Sequence, residues 1–287
     1  CLRLVGSEMC IRDRTNSKGN KWFKGELDRL VNQYGVSGFK LDAGDARFYK
    51  GISSSKKVIP NTHTELFNKI GLDYPFNEYR ATWKMGGQPL VQRLHDKGHD
   101  WEDIKKLIPQ MVLEGIMGYP FSCPDMIGGG QFTAFLNDAP IDQELVVRSA
   151  QVHTLMPMMQ FSVAPWRILD DRHLNAVLKA VDLRENFKEV ILDLAKKAAV
   201  TGEPIVRSLE YVFPHKGYAE ISDQFMLGNE ILIAPFLTKG EGNREVILPE
   251  GKWKSDKGIV FTGGKTIQIN VPLNRLPYFI KQNKKTL

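Results

Sequence analysis

The amino-acid sequence predicts an α/β protein with parallel strands and covering helices, followed by a small antiparallel β-sandwich. The first part of this prediction comes from residues 21–209, where helical periodicity alternates with short apolar runs. The second part comes from the residues after about Asp223, where short β runs follow one another and are separated by glycine-rich turns. The alternation by itself is compatible with a barrel or with a doubly wound sheet.

Each predicted element has a periodicity typical of its type. In Trp101–Met117 the apolar residues recur roughly every three or four positions, as on one face of a helix. The other predicted helices are Trp22–Tyr34, Asp142–Leu155 and Leu183–Thr201. The predicted strands of the α/β part are Val36–Asp42, Glu78–Trp83, Leu90–His95, Gly118–Ser122 and Pro204–Leu209, and those of the sandwich are Ile231–Ala234, Arg244–Leu248, Ile259–Phe261, Thr266–Val271 and Tyr278–Ile280. A barrel of this type closes with about eight strands, so upstream sequence would have to supply about three more.

Composition and charge argue against several classes of function. The 287 residues are 42% hydrophobic and 25% charged, which is typical of a globular protein. The net charge of +6 is spread along the chain, and no stretch interleaves basic and aromatic residues, so no nucleic-acid partner is predicted. No apolar run has the length of a membrane span. The three cysteines have no metal-ligand spacing, and the run Gly128–Gly130 lacks the context of a phosphate-binding loop, so neither a metal nor a cofactor is predicted.

Residues 1–14 differ in character from the rest of the chain. The run VGSEMCIRDR that ends at Arg14 resembles a translated sequencing-adapter sequence, of the kind found at the ends of assembled environmental DNA. It also lacks the order of charged and apolar regions that marks a secretory signal. We therefore exclude residues 1–14 from the fold and expect the N-terminal part of the protein to be missing from this sequence. Neither the compartment nor the oligomeric state is predicted.

A short strand that ends in a carboxylate is the most informative feature of the sequence. Residues Gly38–Asp45 read GFKLDAGD, so that Asp42 directly follows apolar strand residues. A buried carboxylate is costly unless it is paired or solvated, and packing therefore does not account for Asp42. In parallel α/β proteins the reacting groups lie at the carboxyl ends of strands. Asp42 is thus a candidate catalytic residue, and the alternative is that it caps the next helix.

Polar residues also stand at the ends of three later strands, namely Arg80, Asp96 and Asp125. One such residue per strand is expected of a single site at the carboxyl end of a barrel, although each alone could be an ordinary loop residue. Two facing carboxylates suit glycoside hydrolysis, because one can attack or stabilise the anomeric carbon while the other protonates the leaving oxygen. An arginine beside them would favour the ionised carboxylate and bind hydroxyl groups.

Several motifs, in order along the chain, resemble those of glycoside hydrolase family 31. Phe39–Asp45 matches the nucleophile strand of the family, in the version with a lysine two residues before the nucleophile, and Tyr79-Arg80 matches the strand whose arginine contacts the sugar. Further matches are Arg93–Asp96 followed by Trp101, Gly118–Phe121, Pro124–Gly129, Asp223–Gly228, Ala234-Pro235 and Leu248–Trp253. The resemblance runs from about Trp22 to Ile280, and within the family it is to the myogenesis-regulating glycosidase subgroup.

The resemblance implies a role for each matching position. Asp42 is implied to be the nucleophile and Asp96 the general acid/base. Lys40, Arg80 and Asp125 are implied to bind the sugar.

Two further observations concern substrate and specificity. The family's Arg-Asn pair and following His are replaced by MMQFS at Met158–Ser162, whose last three residues resemble the subgroup associated with α-galactoside cleavage. His95 stands where the family usually has glycine, and its imidazole could tune the proton affinity of Asp96 or point away from it. Trp83 and Trp166 are further candidates because aromatic faces stack on sugar rings, with core packing as the alternative for each.

The predicted function is a retaining α-glycoside hydrolase that cleaves terminal α-linked sugars, with α-galactosides as the expected substrates. The alternatives are an α-glucosidase or α-xylosidase of the same family, transglycosylation in place of hydrolysis, and a carbohydrate-binding relative without catalysis. An oligosaccharide or glycoside is the expected partner. The resemblance implies that residues 15–225 form about strands four to eight of a (β/α)8 barrel, and that residues 226–287 form the sandwich. We expect the fragment alone to be inactive and poorly soluble, because the missing strands would expose sheet edges and apolar surface.

Overall fold

The computed structural model of the protein describes residues 13–49, 54–130 and 141–282. The chain divides into two compact units, the first ending at His95 and the second beginning at Asp96. Most of the predicted adapter-like segment, including Cys1 and Cys10, lies outside the described residues.

The described residues of the first unit, 13–49 and 54–95, form three parallel strands and two α-helices. Its elements are α1 (Ser17–Tyr34), β1 (Gly38–Leu41), a 3-10 helix (Ala46–Tyr49), α2 (Pro60–Gly71), β2 (Phe76–Tyr79) and β3 (Val91–Arg93). β1 pairs in parallel with β2, with Lys40 opposite Glu78, and β2 pairs in parallel with β3, with Glu78 opposite Val91. This alternation confirms the α/β character predicted for the segment.

Helix α1 has capping groups at both ends. The side chain of Asn16 accepts hydrogen bonds from the first backbone N–H groups, and the helix stops at Gly35, which has a left-handed φ of 66°. Its buried residue Phe23 packs near Phe67 of α2, with 6.2 Å between the ring centroids. Arg14 is also buried here, with its guanidinium 4.5 Å from the Phe23 ring centroid. Arg14 therefore packs within this unit, while the non-native origin of residues 1–14 stays a prediction.

Helix α2 is not among the elements predicted from the sequence. Its buried positions combine the polar residues His63, Thr64 and Asn68 with Phe67 and Ile70. The hydroxyl of Thr64 donates to the backbone oxygen of Gly44 at 2.7 Å, and the amide of Asn68 donates to that of Ala81 at 2.9 Å. These two hydrogen bonds tie α2 to the loops that follow β1 and β2.

Gly38 begins the strand that precedes Asp42, and it leaves no room for a side chain. A Cβ atom at this position would overlap the backbone oxygen of Phe76 on β2. We expect Gly38→Ala to push β1 away from β2 and to lower the free energy of unfolding by about 1–3 kcal/mol, the usual cost of overpacking, as measured by urea denaturation. Gly25→Ala on α1 is the matched control, because nothing lies within 4 Å of its Cβ position. An equal loss in both variants would contradict the steric argument.

In the second unit, residues 96–130 and 141–282 are described, and they form three longer helices, a parallel strand pair and antiparallel sheets. Its elements are α3 (Trp101–Ile116), β4 (Ser122–Cys123), β5 (Met126–Ile127), α4 (Gln143–Thr154), β6 (Gln160–Phe161), a 3-10 helix (Pro165–Arg167), α5 (Asp171–Thr201), β7 (Val206–Arg207), α6 (Leu209–Val212), β8 (Phe225–Leu227), β9 (Ile231–Ile233), β10 (Gly242–Leu248), β11 (Lys252–Ser255), β12 (Val260–Thr262), β13 (Lys265–Val271) and β14 (Tyr278–Gln282). β5 and β6 pair in parallel.

The C-terminal strands form the predicted antiparallel part. Six strands lie in the order β12-β11-β14-β9-β8-β7, and β10 pairs separately with β13. One buried apolar cluster joins the two sheets, with Trp253 and Phe279 from the larger sheet and Val246 and Val271 from the smaller. Two sheets that share a core are the arrangement expected of a sandwich.

The predicted strand Pro204–Leu209 is corrected by the structure. Only Val206-Arg207 is a strand (β7), and it pairs antiparallel with β8, so it belongs to the C-terminal sheet and not to the parallel α/β part. A strand of two residues carries too little periodicity to indicate its partner, and tertiary pairing decides it. β8 lies across the predicted boundary between residues 225 and 226.

His153 is a buried imidazole in α4 whose protonation is linked to folding. Burial lowers its pKa from 6.5 to about 4, since the charged form is poorly solvated there. The folded pKa lies below the unfolded one, so the contribution to stability is complete above about pH 6.5 and is lost as the pH falls towards 4. The nearby charge of Arg184 acts in the same direction.

When the pH is lowered from 7 to 4.5, we expect the free energy of unfolding to decrease by less in His153→Gln than in the unsubstituted protein. The difference should be on the order of 3 kcal/mol if the imidazole is neutral throughout the folded state. Urea denaturation at several pH values measures it. His215→Asn, at an exposed position with a left-handed φ of 61° that Asn tolerates, is the control. Identical pH dependence in all three proteins would contradict the role given to His153.

Candidate active site

Asp42 directly follows β1, where the chain turns sharply. Ala43 and Gly44 have φ values of 60° and 79°, both in the left-handed region. The 3-10 helix that follows begins at Ala46, so Asp42 stands too early in the chain to be its N-cap. The capping alternative for Asp42 is therefore not supported.

Two arginines contact the same oxygen of Asp42. Arg93 Nη2 donates a hydrogen bond to Asp42 Oδ1 at 3.0 Å, and Arg80 Nη1 lies 3.5 Å from that oxygen. Arg80 Nη2 also donates to Asp45 Oδ2 at 2.9 Å. The Asp42 side chain is 56% exposed, whereas those of Arg80 and Arg93 are 11% and 2% exposed. Two arginines that are largely shielded from solvent thus hold the Asp42 carboxylate, which is itself accessible.

Glu78 extends this network to Lys40. Its Oε1 lies 3.0 Å from Lys40 Nζ and 3.5 Å from Arg93 Nε. Glu78 is 11% exposed and Lys40 is 42% exposed. Six side chains therefore alternate in charge along one continuous series of contacts, which we call the ion-pair chain: Lys40, Glu78, Arg93, Asp42, Arg80 and Asp45.

Strand register explains why these side chains meet. Lys40 lies directly opposite Glu78, and side chains two residues apart in a strand point to the same face. Asp42 follows Lys40 by two residues and Arg80 follows Glu78 by two, so all four lie on one face with Arg93. Glu78 and Arg93 are not among the site residues predicted from the sequence. The available signal for Glu78 was that Lys40 and Asp42 at the end of β1, like Glu78 and Arg80 at the end of β2, are charged residues two positions apart.

Asp96 begins the second unit and lies half-buried in the loop before α3. Asp125 braces this loop, because its Oδ2 accepts hydrogen bonds from the backbone N–H groups of Lys97 at 2.7 Å and Gly130 at 2.9 Å. Asp125 is fully buried, with a left-handed φ of 75°. Its observed contacts hold the backbone next to Asp96, and its role as a sugar contact stays a prediction.

The glycine run after β5 allows two loops to approach closely. A Cβ on Gly129 would lie 2.7 Å from the backbone oxygen of Gly98. His99 adds two ties, since its Nδ1 is 2.9 Å from the oxygen of Gly128 and its Nε2 accepts from the backbone N–H of Asp142 at 3.1 Å. Because Nε2 accepts, Nδ1 is the donor to Gly128. The glycines thus serve backbone packing beside the loop of Asp96.

The remaining predicted residues differ in their placement. Trp83, in the first unit, is 40% exposed, and Trp166, in the second, is 71% exposed. These exposures argue against the core-packing alternative, while sugar stacking stays a prediction.

Gln160, from the segment Met158–Ser162, lies in β6 opposite Met126 of β5. Lys40, Asp42, Arg80 and Trp83 belong to the first unit, and Asp96, Asp125 and Trp166 belong to the second.

The described residues show neither a metal-binding cluster nor a membrane-spanning helix. Among residues 13–49, 54–130 and 141–282, no group of three or more His, Cys, Asp or Glu side chains is arranged to hold a metal ion. None of the helices in that part of the chain combines the length and apolar character needed to cross a bilayer. Cys123 is buried as a free thiol.

Comparison with known proteins identifies two domain types. Residues 5–191 match the model of the glycosyl hydrolases family 31 TIM-barrel domain, and residues 202–284 match the glycosyl hydrolase family 31 C-terminal domain. Among solved structures, a cycloalternan-degrading enzyme from Trueperella pyogenes has a TM-score of 0.82 at 20% identity, with 95% of this chain and 40% of that chain covered. A dextranase from Flavobacterium johnsoniae also has a TM-score of 0.82, at 24% identity, with coverage of 94% and 37%.

Curated relatives agree with these matches. The myogenesis-regulating glycosidase of Mus musculus is 34% identical over 94% of this chain and 39% of its own length. The SITS-binding protein of Tetronarce californica and α-glucosidase 2 of Bacillus thermoamyloliquefaciens are each 27% identical over 94% of this chain, and over 40% and 37% of their own lengths. The chain thus spans about two fifths of the relatives that it matches. The predicted family is confirmed, and the chain belongs to glycosyl hydrolase family 31, with the TIM-barrel domain followed by the C-terminal domain.

Proposed function

We propose that the protein is a retaining α-glycoside hydrolase with Asp42 as its nucleophile and Asp96 as its general acid/base. The observation that carries this proposal is the accessible carboxylate of Asp42, held by Arg93 and Arg80 at the carboxyl end of a parallel strand. Reacting groups of barrel enzymes occupy this position. An attacking carboxylate must be reachable by substrate and fixed in orientation, and the arginine contacts supply the second requirement.

The reaction proceeds by two displacements. In the first, a carboxylate oxygen of Asp42 bonds to the anomeric carbon while the bond to the glycosidic oxygen breaks, and Asp96 gives its proton to that oxygen. In the second, Asp96 takes a proton from water, the water oxygen bonds to the anomeric carbon, and Asp42 departs as a carboxylate. This mechanism requires the two carboxyl groups to lie about 5–5.5 Å apart, whereas inverting enzymes separate them by about 6.5–9.5 Å. A crystal structure of the protein with a bound sugar measures the separation.

Five further residues are proposed to bind the sugar. Lys40 and Arg80 carry donors that suit hydroxyl groups, and Lys40 is accessible enough to reach a ligand. Trp83 and Trp166 expose ring faces that can stack on sugar C–H groups. Asp125 is proposed as a further hydroxyl-binding residue, supported by the family resemblance.

An α-galactoside is the proposed substrate. Support comes from the segment Gln160–Ser162, which resembles the subgroup associated with α-galactoside cleavage, and from the 34% identity to the myogenesis-regulating glycosidase. An α-glucoside is the second candidate, since a relative at 27% identity is an α-glucosidase. We further propose that β1 is about the fourth strand of a (β/α)8 barrel, which the same crystal structure would test.

Hydrolysis of aryl α-glycosides tests the function. The protein, expressed from its complete open reading frame, is expected to release 4-nitrophenol faster from the α-galactoside than from the α-glucoside or α-xyloside. Proton NMR is expected to detect α-galactose as the first product, because two inversions restore the starting configuration. Early β-galactose would contradict the two-step mechanism. Sugar binding without turnover of any glycoside would favour the non-catalytic alternative, and transfer to an added acceptor sugar would indicate transglycosylation.

A further inference from the structure

Arg93 is the most buried side chain of the ion-pair chain, and three sides of its guanidinium have partners. Its Nη2 donates to Asp42 Oδ1 at 3.0 Å, its Nη1 donates to the backbone oxygen of Leu94 at 3.1 Å, and its Nε lies 3.5 Å from Glu78 Oε1. A planar guanidinium with contacts on three sides has its plane fixed. The direction from which Asp42 receives its hydrogen bond is therefore fixed as well.

The two arginines at Asp42 have different geometries. The shorter contact of Arg80 is with Asp45 at 2.9 Å, and its approach to Asp42 is 3.5 Å. Arg93 instead makes its hydrogen bond to Asp42 and is shielded from solvent, with 2% exposure. Asp42 thus receives an arginine hydrogen bond from Arg93, whereas Arg80 donates one to Asp45.

Glu78 connects the orientation of Asp42 to that of Lys40. One carboxylate oxygen, Oε1, lies near both Arg93 Nε and Lys40 Nζ. Parallel pairing of β1 with β2 places Lys40 directly opposite Glu78. A shift of Glu78 would therefore alter both the nucleophile and a proposed sugar contact.

We propose that Arg93 is a positioning residue that holds the Asp42 carboxylate in the orientation for attack. Glu78, through its contacts with both side chains, fixes the positions of Arg93 and Lys40. This inference rests on the proposed function of Asp42. A merely structural role would affect only the folded fraction, whereas a positioning role affects the rate at which folded protein forms its covalent ester. Misplacement of a reacting group by about 1 Å can cost about 100-fold in rate.

The test is covalent labelling with an activated fluorinated α-galactosyl fluoride, which forms a long-lived ester with the nucleophile. The protein from the complete open reading frame is used, and peptide mass spectrometry identifies the labelled residue. Arg93→Lys keeps the charge but loses the planar fork, and it is expected to lower the maximal labelling rate by about 100-fold with little change in the probe concentration giving half that rate. Glu78→Gln is expected to give a smaller loss in the same direction.

A double variant and a surface variant serve as controls for effects on folding. Arg93→Met combined with Glu78→Gln removes both buried charges, so neither is left without its counterpart. We expect this variant to melt at a higher temperature than Arg93→Met alone, yet to label as slowly as Arg93→Lys. Arg29→Lys changes an exposed arginine on α1, 3.0 Å from Glu26, and is expected to label at the unsubstituted rate.

Each outcome decides the inference. Slow labelling of the folded variants at Asp42 supports it. Labelling of Arg93→Lys and of the double variant at the unsubstituted rate overturns it and leaves the proposed function intact. If the unsubstituted protein hydrolyses galactosides but is labelled at a residue other than Asp42, the proposed function of Asp42 fails and the inference fails with it.

Discussion

Asp42→Asn is expected to lower kcat for α-galactoside hydrolysis by at least about 10⁴-fold, because an amide cannot take the place of the attacking carboxylate. The substitution preserves the size of the side chain, so the loss reports on chemistry more than on packing. Circular dichroism and thermal melting establish that the variant is folded. Asp73→Asn is the matched control, since Asp73 is an exposed carboxylate in the same unit, paired with Lys24 at 3.1 Å. We expect this control to retain full activity.

An external anion should restore part of the activity when the carboxylate is removed. In Asp42→Ala the space beside Arg93 and Arg80 can admit azide, which would attack the anomeric carbon of a substrate with a good leaving group. A single displacement inverts the configuration, so the expected product is β-galactosyl azide, identified by NMR. Failure of azide to rescue, together with more than a tenth of the original kcat in Asp42→Asn, would show that another group is the nucleophile.

Asp96→Ala is expected to produce the second large loss, and its size should depend on the leaving group. General acid catalysis contributes about 10²–10⁴-fold, so hydrolysis of a disaccharide with a sugar leaving group should fall by that factor. A galactosyl fluoride needs little proton assistance, and its first step should be nearly unaffected. Stopped-flow and steady-state rates on the two substrates measure the contrast. Asp193→Ala, at an exposed carboxylate on α5, is the control.

Azide distinguishes the role of Asp96 from that of Asp42. With Asp42 intact, the ester still forms, and azide can attack it without base assistance. Two inversions then give α-galactosyl azide, the opposite anomer from the one expected with Asp42→Ala. An equal loss on both leaving groups, or the β-azide from Asp96→Ala, would exclude Asp96 as the acid/base.

Local patterns were sufficient to select Asp42 as a candidate catalytic residue, because a carboxylate after an apolar strand is visible within a few residues. Glu78 and Arg93 were not selected, since their importance depends on strand register. Only the pairing of Lys40 with Glu78 and the course of β3 bring them to Asp42. A sequence shows which residues of one strand share a face, but it does not show which residues of neighbouring strands are paired.

The same limit applies to the fold. The part of α5 from Leu183 to Thr201 and the antiparallel strands beyond residue 230 were predicted from periodicity and turn residues, whereas the first twelve residues of α5 were not. β7 has only two residues, so it has no pattern that indicates its place. The bracing contacts of Asp125 required a left-handed backbone at a non-glycine residue, which sequence patterns seldom reveal.

The ion-pair chain lies within a continuous stretch of 54 residues, from Lys40 to Arg93, and its hydrogen bonds to Asp42 and Asp45 join residues 51 and 35 positions apart. During synthesis this stretch leaves the ribosome before Asp96, and chain segments that form compact units generally fold in the order in which they appear. The ion-pair chain around Asp42 can therefore assemble before the second unit has been completely translated.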